Sequence, residues 1–186
     1  MSRGSGRIES AIRELFAANP DLAFSVVDLV EHCFPDSDPE RNLEKRHSVS
    51  VIRAAHKVVA KDPDWTIWRG ETQGGALVFV NQASLQSHCL GWLMSDVFYY
   101  YRSPKRANRA YLDEPTQTRA DLLALLAPDG RKHDILERRK KFVDLHIAER
   151  DGDEERAGEI RARMEAYKAK LFADTKAMFG KGASEG

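Results

Sequence analysis

The sequence predicts a mainly α protein with one small β-hairpin. Three observations carry this. Apolar residues recur at helical spacing through most of the chain. Proline and Asn/Asp/Gly clusters break those runs into short elements. Only Trp65–Arg69 and Ala76–Val80 are β-rich, and a glycine-bearing loop joins them.

In chain order, Ile8, Ile12, Leu15 and Phe16 form one helix face, stopped by Asn19-Pro20. Ala23-Phe24-Ser25 is a short extended link, and Ser25 can cap a second helix with Val26, Leu29, Val30 and Cys33 inward. Asp38-Pro39 starts a third helix that runs to Lys61. After the hairpin, Ser84 can cap a helix bearing Leu85, Cys89, Trp92, Leu93 and Val97. Thr118 and Asp121 resemble a capping box ahead of Leu122–Leu126, and Pro128-Asp129-Gly130 is a turn. Two further helices, His133–Arg150 and Glu154–Phe179, flank the tight connection Asp151-Gly152-Asp153.

With 186 residues, 42% hydrophobic and 31% charged, the composition is globular. The uncharged stretch Gly74–Ser95 contains Asn81, Gln82, Ser84, Gln86 and His88, so no transmembrane helix is expected, and MSRGSGRIES has no apolar signal-peptide core. A cytoplasmic protein is expected, nucleoid-associated if bacterial. Two cysteines exclude a disulfide framework. The dipeptides His32-Cys33 and His88-Cys89 would chelate zinc awkwardly, because neighbours on a helix point about 100° apart. No metal and no cofactor is expected. There is no phosphate loop, nucleophile elbow, zincin motif or dinucleotide fingerprint, so the reading is not an enzyme.

Twenty-nine basic residues balance twenty-nine acidic ones, which disfavours a non-selective nucleic-acid coat. Against that balance, Lys45–Lys61 holds five bases and no acid. Taking about 100° per residue from Arg46, the residues Ser50, Arg53 and Lys57 fall within about 40° of it, and Val51, Ile52, Ala55, Val58 and Val59 lie opposite.

The order helix, short strand, helix, helix, hairpin over the first 80 or so residues is similar to the winged helix-turn-helix DNA-binding domain. That resemblance implies a third helix in the major groove of double-stranded DNA and a hairpin wing on the backbone. The DNA-contacting candidates are Lys45, Arg46, His47, Ser48, Val49, Ser50, Arg53 and Lys57 on the helix, with Arg69 and Gln73 on the hairpin. Arginine can pair with guanine, lysine and serine with phosphate, and Val49 with a thymine methyl. Arg102, Lys105, Arg106 and Arg109, beside Tyr99–Tyr101, form a second basic segment that could add contacts, as could Arg138–Lys141.

The expected organisation is a winged-helix domain (1–82), a connecting helix with the basic aromatic segment (83–115), a helical region with an antiparallel pair (116–180) and a disordered tail (181–186). In the last helix Ile160, Met164, Tyr167, Leu171 and Met178 approach a heptad seam, and a homodimer through the C-terminal helices is expected. The expected function is sequence-selective DNA binding in transcriptional regulation. The alternatives are an interaction adaptor on a winged-helix scaffold, or a replication or partition accessory factor.

Overall fold

The computed structural model describes residues 4–35, 45–69, 77–97, 119–130 and 132–180. Among them are seven α-helices and one three-stranded antiparallel sheet. The chain forms two compact units, Met1–Lys140 and Lys141–Gly186.

In the first unit α1 (Gly4–Ala18) leads to β1 (Phe24–Ser25), α2 (Val26–Cys33) and α3 (Lys45–Val59). The strands β2 (Trp65–Arg69) and β3 (Leu77–Asn81) follow. Next come α4 (Leu85–Trp92), which ends in a π-turn over Leu93–Val97, and α5 (Arg119–Leu126). The helix α6 (Asp134–Arg150) runs on into the second unit, where α7 (Glu154–Gly180) completes the chain.

Ser25 starts α2 with a reciprocal cap. Its hydroxyl accepts from the Asp28 amide, and the Asp28 carboxylate accepts from the Ser25 amide at 2.8 Å. Both residues are buried, so these groups have no easy exchange with water. Ser25→Ala is expected to lower stability by roughly 1–2 kcal/mol, read as a shifted urea midpoint at unchanged slope. Arg119 reaches the same cap from α5. One guanidinium nitrogen lies 2.9 Å from Asp28 Oδ2, and the group sits 5.2 Å from the Phe24 ring centroid. The nitrogens Nε and Nη2 find no hydrogen-bond acceptor among the described residues, so the contact is a charge pairing without hydrogen-bond alignment.

The sheet order is β1-β3-β2, with Phe24 opposite Phe79 and Ile67 opposite Phe79 from the other side. Successive side chains on a strand alternate faces. On one face Phe24, Phe79 and Trp65 join Ile12, Phe16, Leu29 and Val51 from the first three helices. Phe16 stacks on Trp65 with ring centroids 3.8 Å apart. On the other face Ala23, Val78 and Val80 pack under Leu90, Leu93, Leu122 and Ile135. The sheet is therefore the middle layer of a helix–sheet–helix sandwich.

This arrangement corrects the expected organisation. Residues 83–97 are not a connection. The segment around α4 contributes Cys89, Leu90, Leu93 and Met94 to the core, all at most 3% exposed. Nor does the chain part near residue 82. There Asn81 donates to the Pro20 carbonyl and accepts from the Ala83 amide, while Ser87 Oγ accepts from the Asn81 amide and donates to the Leu22 carbonyl. These bonds fasten the start of α4 to the loop before β1. The division at Lys140 also splits the region 116–180, which was expected to be one. The tail 181–186, Asp38-Pro39 and Thr118 lie outside the described residues.

In the second unit Gly152 takes a positive φ of 73°, the left-handed conformation that suits glycine in so short a turn. Asp153 caps α7 by accepting from the Arg156 amide. Val143, Ala148 and Ala157 are buried.

Candidate nucleic-acid interface

The helix α3 is held by α1 and α2 through its apolar side. Val51, Ala54, Ala55 and Val58 are at most 4% exposed. Val49, Ser50, Arg53, His56 and Lys57 are exposed. On the same angular scale the buried residues centre near 130° from Arg46, so the centre of the open face lies near −50°, between Arg53 and His56. The open face is thus rotated from the stripe read in the sequence, because Ala54 joins the core and draws that side inward.

That rotation sorts the candidate residues. Arg53 stands near the middle of the open face and forms no ion pair among the described residues. Val49 is 37% exposed beside it. His56 shares this face and was missed by the sequence reading, although its position one turn from Arg53 marked it out. Ser50 lies toward the α1 edge. Lys57 lies there too, and it is not free. Its ammonium donates to Glu9 Oε1 at 2.8 Å, and this bond holds the Glu9 carboxyl below its ordinary range.

His47 and Ser48 lie away from the open face. Both are half-buried. The His47 ring stacks on Phe34 with centroids 4.2 Å apart and Nδ1 out of water's reach. They sit about 100° and 200° round from Arg46, on the side that meets the core. Lys45 and Arg46 occupy the first turn of α3. Arg69 ends β2 opposite Leu77 and is exposed. Gln73 lies outside the described residues, as do Arg102, Lys105, Arg106 and Arg109.

The cluster on α6 is engaged within the protein. Arg138 pairs with Asp134, Arg139 lies 4.7 Å from the Trp92 ring centroid, and Lys141 lies 4.6 Å from that of Tyr167. Neither cysteine offers a reactive thiol. Burial pushes both Cys33 and Cys89 up to about 11, and they lie on opposite sides of the sheet. Among the described residues no helix is long and apolar enough to cross a membrane.

Such a face can do two things chemically. A guanidinium on a convex, water-exposed helix can donate a pair of hydrogen bonds to a base edge, and an exposed valine can cover a methyl group. No family model, curated protein or solved structure matches the chain.

Proposed function

We propose that the protein binds double-stranded DNA with sequence preference through α3, as a winged-helix transcriptional regulator. One observation carries the reading. The open face of α3 presents Arg53, Val49 and His56 within a segment, Lys45–Lys61, that has five bases and no acid in a chain of zero net charge. An amphipathic surface helix ordinarily mixes both signs on its wet face. The element order up to β3 and the sheet order β1-β3-β2 agree with a winged helix, whose wing would span the connection after Arg69.

In this reading Arg53 reads a base edge, with Val49 beside it. Lys45 and Arg46 approach phosphates, which position the helix without carrying sequence information. Lys57 contributes less, because a phosphate must compete with Glu9 for its ammonium.

Selection of bound duplexes from a random pool, followed by titration at two salt concentrations, tests this. Arg53→Ala is expected to weaken the selected duplex by roughly 1–3 kcal/mol and to relax one base position. Lys57→Ala is expected to weaken all duplexes by a smaller, uniform factor and to flatten the salt dependence. If the parent selects no sequence, or if Arg53→Ala binds like the parent, α3 is not the reading element.

A further inference from the structure

The middle of α7 is open to water along a run of eleven residues. Every residue from Glu165 to Thr175 is exposed, including Tyr167 at 58%, Leu171 at 55% and Phe172 at 74%. Nearer the turn, Ile160 and Met164 on the same stripe are partly covered and Ala157 is fully buried. The apolar stripe therefore continues beyond its cover. Leaving side chains of this size in water is costly, since burying one is worth roughly 1.5–3 kcal/mol.

The flanks of the stripe decide what fits. With Met164 and Leu171 at heptad position a and Tyr167 at d, Arg163 and Lys170 fall at g, and Arg161 and Lys168 fall at e. Both borders are thus basic, and Lys141 of α6 adds a further cation over the Tyr167 ring. Asp174 is the one carboxylate inside this arc between residues 160 and 175. Arg161 pairs with Glu149 of α6 and with Glu154 near the turn, and Glu159 and Glu165, farther round, pair with Arg163 and Lys168. Exposed pairs at this spacing contribute only a few tenths of a kcal/mol, about 0.2–0.5, so they exchange readily for a better partner.

A second copy of α7 meets this pattern badly. In a parallel pair the g residues of one helix face the e residues of the other, and in an antiparallel pair g faces g and e faces e. Either way lysine and arginine face lysine and arginine. Complementarity needs the same apolar stripe bordered by carboxylates.

We propose that the α7 stripe around Tyr167 and Leu171 is a docking face for an amphipathic helix of a partner protein whose apolar seam is bordered by Asp or Glu. This replaces the homodimer expected through these helices with a heterotypic contact. It stands independently of whether α3 reads DNA.

The test uses the full chain and two labelled synthetic three-heptad peptides. Both have leucine at a and d, one with glutamate and the other with lysine at e and g. The glutamate peptide is expected to bind at least ~10-fold more tightly, by fluorescence anisotropy. Lys168→Glu/Lys170→Glu is expected to invert that order. Tyr167→Ala/Leu171→Ala is expected to abolish binding of the glutamate peptide while leaving thermal unfolding unchanged, since both side chains are exposed. Equal binding of the two peptides overturns the proposal. So does displacement of the glutamate peptide by duplex DNA, which would make the face a nucleic-acid site. A full-length dimer in sedimentation that the alanine pair dissolves would return the face to self-association and equally overturn it.

Discussion

A fragment ending at Asn81 is expected not to fold cooperatively, although it contains three helices and all three strands. Truncation there removes α4, α5 and the start of α6, the elements that cover the second face of the sheet. Ala23, Val78 and Val80 are all 0% exposed in the intact unit and would meet water in the fragment. The two valines alone represent roughly 3–6 kcal/mol of lost burial. That rivals the whole stability of a small domain, about 5–15 kcal/mol. The polar clasp goes too, since Asn81 and the Leu22 carbonyl lose Ser87. A fragment ending at Lys140 keeps both faces covered and is expected to unfold in one transition. Urea titration of the two fragments followed by tryptophan fluorescence compares them directly. A cooperative 1–81 fragment within about 1 kcal/mol of the longer one would mean that the second layer rests on the sheet without supporting it.

Gly91→Ala is expected to destabilise the protein by roughly 1–3 kcal/mol, even though alanine is the better helix former. Two effects oppose one another here. In α4 the substitution gains about 1 kcal/mol of helix propensity. Against it, a Cβ at Gly91 would overlap Val80 Cγ2 and approach the Trp68 ring to 3.3 Å. Val80 is β-branched, fully buried and fixed in β3, so it has no open rotamer to move into. Overlap wins because the neighbours on both sides of this contact are packed. Val80→Ala removes the methyl groups that collide, so the double variant Gly91→Ala/Val80→Ala is expected to be more stable than the sum of the single effects predicts. Chemical denaturation of the four proteins measures the coupling. Strict additivity would mean that α4 shifts away from β3 at little cost.

Much of the local structure is legible in the residues. The serine caps at Ser25 and Ser84 are where the sequence places them, because N-capping depends on one short side chain and the amides just after it. The hairpin, the turn at Gly152 and the apolar side of α3 are equally local. The bases of α3 are legible as composition. Their directions are not fully so, because a wheel assigns angles within the helix and cannot say which arc its neighbours cover. Ala54 is too small to mark a core side in sequence, yet it is buried in the core that α3 shares with α1 and α2. Lys57 reads as a free cation until Glu9, forty-eight residues earlier, is brought beside it.

By itself the sequence determined the helices, their caps and stops, the hairpin, and the uneven placement of charge on α3 and α7. Each of these depends on residues within a few positions of one another, where spacing and side-chain chemistry suffice. Only the tertiary structure decided that the sheet lies between two helical layers. The run Leu77-Val78-Phe79-Val80 has no polar alternation, which is compatible with burial on both faces, but a run of that length does not say what buries it. The answer comes from Leu90, Leu122 and Ile135, up to fifty-seven residues away in the chain. Hydrophobic burial is non-directional, so an apolar strand face accepts whichever apolar surface the rest of the chain can bring to it.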